Sequence, residues 1–385
     1  MKIALITDGI WPYVLGGMQK HSFYLCKYLA QNGVQVTLVH FNQSSYNIEE
    51  LSVFSAEEKK NIRSVIVPMP KSAWFPGAYI FDSYKHSRLV FRTLGNSLAG
   101  FDFIYTKGFT GWYLINQKHA GKIKCAGIGV KFHGYEMFQR APSFKTWLQH
   151  LFLLRYPVKQ ISQRADVVFS YGGKITEILW GLGITPQKIV EIPSGVEKSF
   201  IADRINETKA PVKFLFLGRY ERRKGIEELN QAIKRVLKNN PAASAIFNFI
   251  GPIPDQKKLS HSKIIYHGEV RDKESLQALI EANDVLLCPS WSEGLPNSIL
   301  EAMARGLAVV ATDVGAVGLA VNENTGWLLK SSSVHEIEAA INHIIKLPVS
   351  EIDIRKENAI AMMRNRFNWE VLSLELIEAM KHRSH

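Results

Sequence analysis

The sequence predicts an α/β protein made of two doubly wound, Rossmann-like parallel sheets. The chain has 385 residues, long for one hydrophobic core, so two domains are expected. Short, almost wholly apolar runs recur along it, as in strands buried on both faces. Stretches of helical period lie between most of them, the alternation that produces parallel strands joined by crossover helices.

Residues 2–7 are the first apolar run, and 19–31 read as an amphipathic helix stopped by Asn32-Gly33, before a second strand over 34–41. Gly16-Gly17 sits in the turn between them, where backbone can approach a ligand closely, although the pair is not the G-x-G-x-x-G fingerprint. Further strands are expected over 62–67, 103–105, 127–132 and 167–170. A polar run, 198–209, leads into a second set over 212–217, 245–250, 264–267, 284–288 and 307–311, closed by a short strand over 326–329. Asp272 is placed to cap a helix over 273–282, and Ser333-Val-His-Glu336 reads as a capping box. Two final helices are expected over about 350–366 and 369–382.

With 46% hydrophobic residues the composition is that of a globular protein. No apolar run approaches transmembrane length, and Met-Lys-Ile-Ala-Leu-Ile-Thr-Asp reads as a first strand rather than a signal peptide. Cys26, Cys125 and Cys288 show no metal-ligand spacing and fit buried thiols in a reducing cytosol. The net charge is +12, unevenly spread: residues 1–195 carry 22 Lys and Arg against 11 Asp and Glu, the remainder 25 against 24. One half therefore faces an acidic partner.

The stretch from Leu287 to Asp313 organises the rest. An apolar strand leads into a Gly/Pro-containing loop, a helix starting near Pro296 or Asn297, and a second strand. Asn297 and Ser298 are candidate N-caps, and Gly306 suits the helix C-terminus. Ligands of such units bind beyond the carboxyl ends of the strands, where residues 290–297 must lie. Glu293 stands in that loop and Glu301 about one turn into the helix, whose first N–H groups could hold a phosphate. Carboxylates repel phosphate but accept hydrogen bonds from hydroxyls. A molecule with hydroxyls on both sides of a diphosphate is a nucleotide sugar. From spacing alone, a turn residue and a solvated helix face fit equally well.

Glu293 and Glu301, inside Ser-Glu-Gly-Leu-Pro and Leu-Glu-Ala-Met-Ala, resemble the signature of glycosyltransferase family 4. The resemblance implies a GT-B fold: two Rossmann-like domains across a cleft, with a C-terminal helix crossing back to the first. It divides the chain into an acceptor domain, 1–195 with 367–385 returning to it, and a nucleotide-sugar donor domain, 196–366. It also implies transfer with retention of anomeric configuration. Under it, Arg219 and Lys224, a basic pair that alone could be a solvated loop, are assigned to the leaving diphosphate. Glu293 takes sugar hydroxyls, Glu301 the ribose, and His133 lines the site beside the transferred sugar. Gly16 and Gly17 lie near the donor phosphates, the backbone around Val270 meets the nucleobase, and Gly294, Leu295, Pro296 and Asn297 complete the donor site. The sequence departs from the family at Glu136, where an Asp often follows the His, and at Ser194 and Glu197 of the interdomain turn, where Asn and Asp are commoner.

The expected function is that of a retaining, hexosyltransferase-type glycosyltransferase. It would move a sugar from a nucleotide-diphosphate sugar, with a UDP-sugar preferred, to a lipid-linked or cell-surface glycan precursor of bacterial polysaccharide or lipopolysaccharide. No D-x-D pair is present, so no metal is expected and no other cofactor. A nucleotide-sugar epimerase on the same fold and a non-catalytic sugar- or nucleotide-binding protein are the alternatives. Nucleic acid is not expected, because the aromatics form no RNA-binding motif.

Two segments of the basic half mix cations with aromatics: residues 71–92 (Lys71, Trp74, Phe75, Tyr79, Phe81, Tyr84, Lys85, His86, Arg88, Arg92), and 140–164. The second, from Arg140 to Arg164, holds five Lys and Arg, no acid, and Trp147, Phe152 and Tyr156. Such a pattern suits a helix on an anionic membrane, giving a peripheral enzyme on the cytoplasmic face, or an ordinary amphipathic helix packed on the sheet.

Overall fold

Apolar runs that end where a polar residue or glycine follows pair side by side into two sheets in the computed structural model, which describes residues 1–43, 47, 50–70 and 77–383. The first sheet is formed by β1 (Lys2–Ile6), β2 (Gln35–His40), β3 (Ile62–Ile66), β4 (Phe103–Lys107), β5 (Gly127–Lys131), β6 (Val167–Ser170) and β7 (Ile189–Glu191). The second contains β8 (Val212–Leu217), β9 (Ala245–Ile250), β10 (Ile264–Gly268), β11 (Val285–Cys288), β12 (Ala308–Thr312) and β13 (Gly326–Leu329). Every pairing is parallel, in the orders β3-β2-β1-β4-β5-β6-β7 and β10-β9-β8-β11-β12-β13. Strand order reverses between β1 and β4 and again between β8 and β11, and a crevice opens at each such switch point.

The strands are apolar because helices cover both faces of each sheet. All five residues of β4 and of β5 are buried, including the lysines that end them. The last helix, Trp369–Lys381, packs on Gly17–Gln31 of the first domain. Trp369 is 2% exposed and stacks on Tyr28 with ring centres 6.2 Å apart. Tyr28 and Asn32 donate to Glu370 and Ser373, at 3.3 and 3.2 Å. Truncating a buried side chain of this size costs about 3–5 kcal/mol, so this indole helps hold the return of the chain together with buried Leu372, Leu376 and Met380.

Several expectations are corrected. The helix Asn297–Ala304 takes Pro296 as its N-cap with no side-chain cap, so neither Asn297 nor Ser298 caps it. Asn297 instead donates to the Gly17 carbonyl at 3.4 Å. Ser333 caps its helix, but the Glu336 carboxylate bonds Ser331 and leaves the capping box half made. Cys26 and Cys288 are buried free thiols, whereas Cys125 is only half-buried. β4 runs two residues past the expected end, because Thr106 and Lys107 are buried polar residues rather than loop. β7 lacked a sequence signal, being three residues on a sheet edge. Within 140–164 the chain is helical without interruption from Phe144 to Arg164, as Phe144–Gln149, a π segment over His150–Leu154, and Arg155–Arg164. Their outer surface leaves Phe144, Phe152 and Tyr156 at least 70% exposed. In the other aromatic segment, Ala78–Leu94 is a helix with Tyr79 and Phe81 exposed, while Lys71, Trp74 and Phe75 lie outside the described residues. Among the described residues, no helix is long and apolar enough to cross a membrane.

Candidate active site

The carboxyl end of β11 runs into Pro289 and then a loop that folds back beneath the helix Asn297–Ala304. Gly225, with φ 67°, lets the β8 turn lie against Pro289, and Gly294 has no room for a side chain because a β-carbon would run into the His133 carbonyl. The segment after β5 and the loop that carries Glu293 therefore meet backbone to backbone across the cleft.

Glu293 is 6% exposed. Its carboxylate accepts from Lys224 at 2.6 Å, Arg223 at 2.8 Å and the Ser290 hydroxyl at 2.9 Å. Burial pushes its carboxyl up, but Lys224 and Arg223 together outweigh that and hold it below the usual carboxylate range. Arg223 also donates to the Ser292 carbonyl at 3.0 Å. Arg219 takes a different course: it is 68% exposed and pairs with Glu221 at 2.8 Å. The expected Arg219–Lys224 pair is thus a trio in which Arg223 and Lys224 meet on Glu293 while Arg219 reaches out from the rim. Sequence reading missed Arg223, although Arg222-Arg223-Lys224 is a visible run of cations.

A cavity of about 350 Å³ opens here between the two switch points. Its walls bring together Gly17, His133, Arg219, Lys224, Glu293, Gly294, Leu295, Pro296, Asn297 and Glu301, with Glu136, Glu221 and Arg223. Two expected residues are not on that wall. Gly16 lies one residue away, as the N-cap of Gly17–Gln31. Val270 packs against the hydrophobic core beyond β10. Cations and a helix N-terminus between two carboxylates suit an anion flanked by hydroxyls.

His133 follows β5 at the floor of the cavity. Its Nδ1 stands 2.6 Å from the Tyr171 hydroxyl. Burial, reinforced by Lys107 and Lys131, holds its pKa well below that of a free imidazole, so the ring is neutral. Both lysines are 1% exposed and close the two strands next to the switch point. Lys107 Nζ is 3.0 Å from His21 Nδ1, and its pKa falls to about 7 through burial, partly offset by Asp8. Lys131 donates to the Ile192 carbonyl at 2.6 Å and lies 4.0 Å from the Tyr171 ring centre. His133 therefore rests on a buried basic bed that local spacing did not reveal.

Contacts across the cleft close it. Lys20 meets Glu301 at 2.5 Å, and Gln139 donates to the Glu293 carbonyl at 2.7 Å. Trp291 lies between Arg140 of the first domain, 5.0 Å from its ring centre, and Arg222 of the second, at 5.4 Å. Glu197, the departure in the interdomain turn, accepts from Lys27 at 2.6 Å and from Tyr24 and Lys273, each at 3.2 Å. Its extra methylene over Asp extends its reach towards those partners.

A family model described as Glycosyltransferase Family 4 matches residues 15–200, and one described as Glycosyl transferases group 1 matches residues 211–346. The chain is 34% identical over 127 residues to TuaC of Bacillus subtilis (strain 168), named for teichuronic acid biosynthesis, covering 33% of this chain and 31% of that one. It is 27% identical over 208 residues to an Escherichia coli protein named UDP-Gal:alpha-D-GlcNAc-diphosphoundecaprenol alpha-1,3-galactosyltransferase, covering 49% of this chain and 52% of the relative. It thus spans at most about half the length of these two relatives. Sucrose-phosphate synthase from Thermosynechococcus elongatus has the same fold, with a TM-score of 0.75 at 18% identity over 99% of this chain and 98% of the other. With its first half matched by the family 4 model and its second by the group 1 model, and the Glu293–Glu301 unit lying where their switch points face each other, this chain is of the glycosyltransferase family 4 type and has the GT-B architecture.

Proposed function

We propose that the protein transfers a sugar, with retention, from a nucleotide-diphosphate sugar to a lipid-linked or cell-surface glycan precursor, and that UDP is the nucleotide. The observation that carries this reading is the cavity at the facing switch points, with three cations and a helix N-terminus between Glu293 and Glu301. As the bond from the anomeric carbon to the diphosphate breaks, charge grows on the leaving oxygen. Arg219, Lys224 and the N–H groups at Asn297 stabilise it, with no metal called on. Glu293 orients the sugar hydroxyls, Glu301 the ribose, and neutral His133 donates or accepts a hydrogen bond at the sugar. Gly16 and Gly17 close over the phosphates, and the backbone at Val270 meets the base. Residues 1–195 with 367–385 hold the acceptor, and 196–366 hold the donor.

The galactosyltransferase relative supports the choice of donor and acceptor, since its name gives UDP-Gal and a diphosphoundecaprenol carrier. The basic, aromatic surface of 140–164 supports a membrane-borne acceptor reached from the cytoplasmic face, because each cation near an anionic surface contributes about 1 kcal/mol. Thermal-shift titration with UDP, GDP and ADP tests the donor assignment. A ligand that binds only the folded state raises the melting temperature by mass action. UDP should give the largest rise. No rise with any of the three would remove the nucleotide from the site.

A further inference from the structure

Lys20, Tyr24 and Lys27 share one edge of the helix Gly17–Gln31, at the i, i+4, i+7 spacing of a single face. All three reach carboxylates outside the first domain's sheet, Tyr24 and Lys27 at Glu197 and Lys20 at Glu301. The two targets differ in one respect. Glu197 is held from the second domain as well, by Lys273. Glu301 is 13% exposed on its side chain, and among the described residues only Lys20 bonds its carboxylate.

The carboxylates of the cavity are therefore neutralised in different ways. Glu293 receives both of its cations, Arg223 and Lys224, from its own domain. Glu301 receives its countercharge from across the cleft. An uncompensated carboxylate beside a diphosphate would repel it, and a free glutamate side chain must lose rotamer freedom before it can hold a ribose. Lys20 removes both obstacles. Its ammonium takes Oε1, and a carboxylate has about four acceptor positions, so Glu301, which lines the cavity, keeps acceptor capacity for a ribose hydroxyl.

We propose that Lys20 is a positioning residue that completes the ribose half of the donor site from the opposite domain, so that a nucleotide is held at full strength only with the cleft closed. The proposal rests on the reading of Glu301 as the ribose ligand. Asn297 makes the neighbouring contact across the same seam, to the Gly17 carbonyl, so helix start and glycine loop close together. Ribose binding and domain closure thereby become one event.

Calorimetric titration with UDP, GDP and ADP tests this on wild type, Lys20→Met, Lys20→Gln, Lys20→Arg, Glu301→Gln and the Lys20→Met/Glu301→Gln double variant. Melting curves without nucleotide confirm that each is folded. The nucleotide that binds wild type most tightly should bind Lys20→Met and Lys20→Gln about tenfold more weakly. Lys20→Arg should recover most of the loss. In the Glu301→Gln background the lysine change should cost nothing further, because the two residues act as a unit. Wild-type affinity in Lys20→Met, or the same loss in both backgrounds, would overturn the proposal. Absence of binding to wild type itself would instead overturn the donor reading on which it rests.

Discussion

Glu293→Gln should destabilise the protein and stop transfer, yet strengthen the binding of the free nucleoside diphosphate. In the structure the carboxylate neutralises Lys224 and Arg223, with side chains 19% and 33% exposed against 7% for Glu293. Removing one partner of a fully buried pair costs about 3–5 kcal/mol. Arg223 is partly solvated and glutamine keeps one acceptor, so about 2 kcal/mol is the better figure here. At roughly 2–4 °C per kcal/mol for a domain of this size, the melting temperature should fall by about 4–8 °C. A diphosphate restores negative charge beside the two cations without competition from the carboxylate, so UDP should raise the melting temperature of the variant more than that of wild type. Sugar transfer should nevertheless be lost, because the sugar has lost its ligand. The assay is a melting series with and without UDP beside a transfer rate. A variant that melts with wild type and gains no more from UDP would refute the charge-balance argument, and one that transfers sugar at the wild-type rate would refute the role of Glu293.

Lys224→Ala should cost about 3 kcal/mol of transition-state stabilisation, roughly a hundredfold in turnover, and activity should persist in EDTA. Rim-exposed Arg219, as Arg219→Ala, should show the same direction, and wild-type turnover in either folded variant would remove that residue from the site. Burial raises the Glu197 carboxyl, but Lys27 and Lys273 bring it below the usual range. A depressed carboxylate stabilises the fold above its unfolded pKa of about 4.3, a contribution that fades as pH falls through the folded value. The melting-temperature gap between wild type and Glu197→Gln should accordingly be full at pH 7 and shrink below about pH 4; a gap independent of pH would contradict the ion pairs. Vesicle sedimentation should show binding to anionic liposomes that weakens with salt and when Lys145, Arg155 and Lys159 become Glu. Equal recovery with and without anionic lipid would leave transfer to a soluble acceptor.

The parts of the site encoded locally were legible in the sequence. β11, the loop with Glu293, the helix with Glu301 and β12 are contiguous, and apolar runs with a Gly/Pro-containing loop between them announce such a unit. His133 could be placed because it follows an apolar strand directly. The partners of these residues could not be placed, because they lie far away along the chain: Lys20 is 281 residues from Glu301, and Lys27 170 from Glu197. Lys107 and Lys131 had a faint signal, a lysine closing an otherwise apolar strand, but solvent exposure is the usual fate of such a residue. Only the pairing of β4 with β5, and His21 of the helix Gly17–Gln31 reaching Lys107, shows both to be buried close enough to act on His133. The π segment inside the helix 144–164 likewise had no local signal; Arg155, just after it, donates to the Met137 carbonyl, 2.8 Å away.

Transfer from a nucleotide sugar at the facing switch points is what the proposed roles of Glu293, Glu301 and Lys224 have in common. It is tested most directly by incubating the purified protein with UDP-, GDP- and ADP-sugars, with and without a bacterial lipid-linked glycan fraction, and following released nucleotide and the anomeric signal of the product. Release from a UDP-sugar should depend on the acceptor, and the glycoside formed should keep the anomeric configuration of the donor. Conversion of the donor to an epimer without acceptor, or a product of inverted configuration, would contradict it.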